Sequence, residues 1–425
     1  MSFPVFRQRR GAALLVGCGM AFAPMVADAT EAAPLTLPAA VALAVRDAPV
    51  LGADAARVDA ARADADRAGR LPDPELTFGI GNLPLQGAGA FTFGADEMTM
   101  RTIGVMQRLP ARATREAERA QAQAGVAAAD SVRTTAAADV RREAAIAWIA
   151  AWSAQRKQLL LGDLRGSGEL AVRVSRARLA GGSGSAAETL AARAEVVVLE
   201  SRIDAATAQL AAARAELARW VGPDAGQALA DAPDFDALPT APARLLARLD
   251  ALAPLAAWPA RERAAEAALD AARASKRPEW RVGASYGARS AGLPDMATLE
   301  VGVSLPLFTR HRQDPAISAR HAERDAVLAE HEDARRAQKA AVESALAKWQ
   351  GQSRQVRRYR DELLPLARDR TRVALAAYRG GADLQDWLAA RRDEVDLRIA
   401  YADALDAWGR DWAALAYLLP RETTR

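Results

Sequence analysis

The chain has 425 residues, of which 51% are hydrophobic but only 5% aromatic, so alanine rather than large side chains must fill most apolar positions. That composition suits thin helical bundles better than a thick globular core. A formal charge of +4, with arginine and acidic residues interleaved along the sequence, gives no basic patch and argues against a nucleic-acid partner. The single cysteine excludes a disulfide framework within the chain.

Arg7, Arg9 and Arg10 precede an apolar run from Gly11 to Val26 and the small-x-small site Ala27-Asp28-Ala29. Residues 1–29 therefore read as a secretory signal peptide. Leu15-Val16-Gly17-Cys18 also fits the pattern that precedes lipidation of an N-terminal cysteine, so cleavage near Ala29 and lipidation at Cys18 both stand. Beyond this segment no uncharged apolar stretch reaches the roughly 18 residues that a membrane helix needs. If the mature chain enters a membrane, it must do so as a barrel.

Apolar residues recur at helical spacing from Leu37 to Arg70, ending at Gly69 and Pro72. Strict alternation then marks a strand, with Leu76, Phe78 and Ile80 on one face, and a second strand runs from about Thr99 to Gln107. A long helix follows Pro110 and continues to about Leu179, interrupted or bent near Gly162, Gly166 and Gly168. After the tip Gly181-Gly182-Ser183-Gly184 a return helix runs from about Ala187 to Trp220.

A proline- and aspartate-rich stretch from Asp224 to Pro242 has no strong periodicity, and beyond it the whole order repeats. A helix spans about Arg244 to Lys276, strands span Trp280–Tyr286 and Thr298–Leu305, a long helix spans Pro315–Tyr378, and a return helix spans Asp383–Leu418. The second tip, Tyr378-Arg379-Gly380-Gly381, is followed by the same Leu-Ala-Ala-Arg as the first. This internal repetition divides the chain into a first structural repeat at 30–222, a linker at 223–243 and a second repeat at 244–425.

The strands alternate apolar and polar as a lipid-embedded barrel around a wet lumen requires. Four strands cannot close such a barrel, and an open sheet would leave unpaired edges in lipid. Several chains must therefore share one barrel, and three copies give about twelve strands. The fold class expected is mostly α with a small β part: duplicated long helical hairpins form a periplasmic tube, and four strands per chain enter a shared trimeric barrel.

Several blocks resemble the TolC-like family of outer-membrane efflux channels, specifically its cation-efflux branch of cobalt-zinc-cadmium resistance. They are Leu35-Thr36-Leu37-Pro38 with Ala39 to Ala44, Gly69-Arg70-Leu71-Pro72-Asp73-Pro74-Glu75-Leu76, Gly81-Asn82-Leu83-Pro84, Val303-Ser304-Leu305-Pro306-Leu307-Phe308 and the two glycine tips. The resemblance implies a homotrimeric conduit in the outer membrane of a Gram-negative bacterium, not an enzyme and without a cofactor. Its tips, Gly181, Gly182, Gly380 and Gly381, would meet a periplasmic adaptor and an inner-membrane proton-driven RND pump. It also carries gate roles to Tyr378 and Glu188, and less directly to Arg379, Asp383 and Asp386. The first tip departs from the family pattern, having Gly-Ser-Gly-Ser where a bulky apolar residue usually follows the glycine.

Arg101, Arg281 and Glu300 read as lumen-facing charges of the barrel. His311, His321 and His331 stand ten residues apart, about 15 Å of rise per step, too far for one ion to bind two of them on one helix. No metal or catalytic site is assigned. Trp148 with Trp152, and Trp408 with Trp412, are spaced for packing where the repeats meet, and Trp280 and Tyr286 suit membrane interfaces. The expected cargo is a heavy-metal cation. Export of organic compounds and drugs is the alternative within the same fold, and a periplasmic coiled-coil adaptor or scaffold is the alternative from another class.

Overall fold

The computed structural model describes residues 33–94, 96–289 and 292–419. The expected signal segment, with Cys18, lies outside them. The chain opens with α1 (Leu37–Asp47) and α2 (Pro49–Arg67), then β1 (Glu75–Gly81), β2 (Met100–Leu109), α3 (Arg112–Gly162), α4 (Arg165–Ala180) and α5 (Ala186–Val221). A connecting stretch leads to the short helices α6 (Pro242–Ala247) and α7 (Ala253–Ala256). Next come α8 (Trp258–Ala274), β3 (Glu279–Arg289), β4 (Met296–Ser304), α9 (Gln313–Arg358), α10 (Leu364–Arg379) and α11 (Leu384–Ala416). Helix, two strands, long helix and return helix thus occur in the same order on both sides of the connection.

Four expected helices are broken. The first splits at Ala48, because Pro49 lacks the N–H that would continue the ladder and forces Ala48 into an extended conformation. The stretch expected to be helical from Arg244 is three short pieces before α8, with Pro254 and Pro259 each restarting the chain at a helix N-terminus. The first long helix ends at Gly162, and Gly166 and Gly168 lie inside α4 rather than at the break. In the second long helix a π-turn at Tyr359–Leu363 separates α9 from α10. Pro365 accounts for it: with no N–H to offer Asp361, it disrupts the regular ladder one turn back. Below these irregularities α4 and α10 are each 16 residues long, about 24 Å of helix above each tip.

The connecting stretch, featureless as sequence, carries the aromatic side chain around which the helices assemble. Phe235 is buried, edge-on to Trp152 at 6.0 Å and to Trp408 at 5.5 Å, and tilted against Trp412 at 5.5 Å. Trp349 donates its indole N–H to the Phe235 carbonyl (2.9 Å) and Trp412 donates to Ala237 (2.7 Å), so buried rings also satisfy loop carbonyls. Helix α11 passes so close that a Cβ at Gly409 would overlap Ile149 and crowd the Phe235 ring.

Asp236 ties the same stretch to α9, accepting from Ser353 (2.8 Å) and Arg357 (2.6 Å). Partial burial works to raise its carboxyl pKa, but these hydrogen bonds and the charges of Arg357 and Arg360 outweigh it and hold the group below its ordinary value. A depressed carboxylate stabilises above its unfolded pKa of about 4 and loses that contribution as pH falls through the folded value. Thermal melts of wild type and Asp236→Asn are therefore expected to differ at pH 6 and to converge below about pH 4.

Gly69, between α2 and β1, has φ +63°, and a Cβ there would overlap the Arg115 carbonyl on α3. Gly69→Ala is expected to cost about 1–3 kcal/mol, read as a lower melting temperature with unchanged helical content.

Candidate functional site: the helical tips, a buried charge triad and the two-faced sheet

Both hairpins turn by the same local chemistry. At the first tip Gly181 N–H donates to Ala177 (2.9 Å), Gly182 takes the left-handed φ of +73°, and Ser185 caps α5 by accepting from Glu188 N–H (3.1 Å). At the second, Gly380 N–H donates to Ala376 (3.1 Å), Gly381 has φ +109°, and Asp383 caps α11 by accepting from Gln385 N–H (2.9 Å). A left-handed glycine followed by a short polar cap closes one helix and starts the next.

The structure brings Tyr378 and Glu188 together and leaves Arg379 and Asp386 apart from them. Tyr378 is fully buried among Ala171, Ala192, Leu384, Trp387 and Leu388, and its hydroxyl lies 3.5 Å from Glu188, at the limit of a hydrogen bond. Burial, helped by the Glu188 charge, pushes the phenol above its ordinary pKa, so it is a proton donor at neutral pH. Arg379 and Asp386 are exposed and make no hydrogen bond or ion pair among the described residues, while Asp383 serves as a helix cap.

Arg178, in the last turn of α4, was not singled out by sequence. Its guanidinium sits 4.5 Å from the centre of the Tyr378 ring and donates to the carbonyls of Tyr378 (2.6 Å) and Ser183 (3.2 Å).

Higher in the bundle, α11 buries three charges, Arg391, Glu394 and Arg398. Arg398 pairs with Glu394 at 2.6 Å and Arg391 with the same carboxylate at 3.6 Å. The arginines also reach the break between α3 and α4: Arg398 donates to the Leu160 carbonyl (3.2 Å) and Arg391 to that of Leu164. The Leu160 carbonyl lies in the last turn of α3, where the Leu164 N–H turns to Leu161 instead, so Arg398 supplies the donor that the interrupted ladder no longer does. The Leu164 carbonyl opens α4 and accepts from Ser167 and Gly168 as well as from Arg391. Arg391 belongs to the Leu-Ala-Ala-Arg shared by both tips, yet its counterpart Arg193 is exposed.

The strands form one antiparallel sheet in the order β1-β2-β3-β4. In register, Leu76 faces Val105, Phe78 faces Ile103, Ile103 faces Tyr286, Ala284 faces Leu299 and Val282 faces Val301, so one side is a continuous apolar surface. It is uncovered: Phe78 is 73% exposed and Leu299 83%. Thr77, Thr102, Arg281, Ser285, Thr298 and Glu300 lie on the other side. Arg101 does not join them. It stands opposite Ile80 and Ala288, on the apolar side near the loop end, because it is two residues from Ile103 and so shares its face. The expectation of Arg101 as a lumen charge is therefore corrected, whereas Arg281 and Glu300 share the polar face.

Among the described residues no group of three or more His, Cys, Asp or Glu is placed to hold a metal ion, and no helix is long and apolar enough to cross a membrane. His331 pairs with Glu262 (2.6 Å) and stacks on Trp258.

Long paired helices closed by glycine tips, joined to a small sheet with one bare apolar face, are a distinctive combination. Residues 249–420 match the family of outer membrane efflux proteins. Solved structures extend the likeness over the whole fold. A membrane protein from Pseudomonas aeruginosa is 20% identical with a TM-score of 0.75, covering 90% of this chain and 93% of its own. The outer membrane protein VceC from Vibrio cholerae is 18% identical with a TM-score of 0.72, covering 90% of this chain and 95% of its own. CusC, described for its transmembrane channel formation, is 18% identical with a TM-score of 0.71, covering 89% and 90%. At such identities the likeness establishes the fold alone, paired long helical hairpins joined to a four-stranded sheet. No curated protein matches the chain.

Proposed function

We propose that this chain is the outer-membrane channel component of a tripartite efflux system, and that three copies share one twelve-stranded barrel above a periplasmic helical tube. The observation that carries the reading is the sheet itself. It has an uncovered apolar face on one side, a polar face on the other, and two free edges, the outer sides of β1 and β4. Backbone groups at a free edge cannot remain unpaired in lipid, so β1 of one copy pairs with β4 of the next until the ring closes. Trp280 at the helix end of the sheet and Tyr286 toward its loop end suit the two interfaces.

In this reading the repeats at 30–222 and 244–425 each supply one strand pair and one hairpin, joined through 223–243. The tips face a periplasmic adaptor and an inner-membrane RND pump, and Tyr378 with Glu188 belongs to the closed gate. Both hairpins spring from one continuous sheet, which favours a channel over an adaptor or scaffold with a single hairpin. The channel performs no covalent chemistry; the pump selects the cargo, and heavy-metal cations of the cobalt-zinc-cadmium type are the cargo proposed, on the sequence blocks quoted above.

Growth of a deletion strain, with and without plasmid complementation, tests this across graded zinc, cobalt, cadmium, nickel and copper alongside dyes and antibiotics. Complementable sensitivity to divalent cations alone is the expected result. Sensitivity only to organic compounds would move the cargo to drugs and retain the conduit.

A further inference from the structure

We infer that Arg101 is a binding contact for the phosphate groups of outer-leaflet lipid, an inference that rests on the conduit reading. The register puts Leu76, Phe78 and Ile80 of β1 on one side of the sheet, together with alternate residues of β2 from Arg101 to Leu109, of β3 from Trp280 to Ala288 and of β4 from Ala297 to Val303. Among the described strand residues on that side Arg101 is the only charged one, and it is exposed. A guanidinium on the lipid side meets either hydrocarbon or headgroups, and only headgroups tolerate it at little cost.

Height along the barrel decides which it meets. Leu109 pairs with Trp280 at the helix end of the sheet, and Arg101 lies eight residues away along β2. At ~3.4 Å per residue this is about 27 Å of strand. A tilt of about 40° leaves about 20 Å along the membrane normal, close to the apolar band of such barrels, which is about 25 Å tall. With Trp280 at the inner interface, Arg101 stands at the outer one, two residues beyond the Ile103–Tyr286 pair.

The protein around Arg101 leaves its donors unused. It makes no hydrogen bond or ion pair among the described residues, and its cross-strand neighbours Ile80 and Ala288 have no polar side-chain group. Asp295, just before β4, feels the Arg101 charge, but its carboxylate is already engaged by the Tyr286 hydroxyl and by the Arg289 backbone N–H (3.1 Å). The Arg289 guanidinium in turn donates to the Glu97 carbonyl (2.8 Å), so the other cation at this end of the sheet is spent on holding the loop. The aliphatic stem of an arginine covers apolar surface while its charged fork reaches the headgroup level. A phosphate group is the matching partner, because its oxygens accept two parallel N–H bonds from a guanidinium and its charge is opposite.

The test uses the full-length protein purified in detergent from the outer-membrane fraction, as wild type, Arg101→Gln, Arg101→Lys and, to remove the same charge from the polar face, Arg281→Gln. Native mass spectrometry of the three-copy species follows titration with bisphosphorylated lipid A and with the same lipid stripped of its phosphates, each with and without an excess of inorganic phosphate. Wild type is expected to bind the phosphorylated lipid about tenfold more tightly than the stripped one, Arg101→Gln to lose that preference, Arg101→Lys to keep part of it and Arg281→Gln to keep all of it. Equal preference in Arg101→Gln and wild type, or an equal loss in Arg281→Gln, would overturn the proposal and leave the conduit intact. Competition by inorganic phosphate that abolishes the preference would also overturn it, since the site would then take a free anion rather than a lipid. Wild type that forms no three-copy species and binds neither lipid would bring down the conduit reading itself, and the proposal with it.

Discussion

Replacing Glu394 by alanine is expected to destabilise the protein by about 3–5 kcal/mol, the largest effect of any single truncation considered, because two buried guanidinium groups then share no counter-charge. Burial already pushes the Arg391 guanidinium below its ordinary pKa, with Glu394 opposing that and Arg398 adding to it. Arginine does not give up its proton at any working pH, so the cost appears in stability rather than as a neutralised side chain. The pair also reaches the break between α3 and α4 through the Leu160 and Leu164 carbonyls, so misplacing the arginines exposes a second fault. Combining Glu394→Ala with Arg398→Met removes one unpaired charge and orphans only a neutral carbonyl. The double variant is therefore expected to melt higher than Glu394→Ala alone, a non-additivity that a double-mutant cycle reads directly. Three melts settle it: if the double variant is less stable than either single one, the triad does not act as a unit.

The second large effect is expected on the sheet. Leu299→Arg places a guanidinium in the middle of the bare apolar face and should cost about 2–4 kcal/mol in membrane-inserted stability. Thr298→Arg, one residue away, points to the polar side and should assemble normally, altering ion selectivity instead. The comparison is made by the heat resistance of the assembled species on gels and by the yield in the outer-membrane fraction. Equal tolerance of the two substitutions would mean that neither face meets lipid.

The order of elements was legible in the sequence because the signals are local and strong. Leu76, Phe78 and Ile80 alternate without exception, β3 and β4 do the same, and each hairpin is marked by glycines that take left-handed angles. Helix continuity was harder. Pro49 and Pro365 carried the information for two of the irregularities, but the surrounding alanine-rich periodicity reads straight through them. The break near Gly162 was expected and falls at Gly162 itself, whereas Gly166 and Gly168 continue inside α4.

The candidate site was less legible, for physical reasons visible at particular residues. Arg391 and Arg193 close the same four-residue motif, and only Arg391 turns inward to the break between α3 and α4, where it is buried, while Arg193 stays exposed. Phe235 stands alone in a stretch without periodicity, so nothing local announces that three tryptophans gather on it. Arg178 differs from its neighbour Arg176 only in pointing toward a second hairpin 200 residues away. Arg101 is a different case: counting by two from Ile103 places it on the apolar face, and its charge had suggested the opposite.

The most direct test of the account is the mass of the particle that the chain forms in its membrane. Native mass spectrometry of protein extracted in detergent from the outer-membrane fraction should give a species of three copies that resists dissociation, as four strands with two free edges require. A stable single copy, or protein recovered only from the soluble periplasmic fraction, would contradict a shared barrel and with it the conduit.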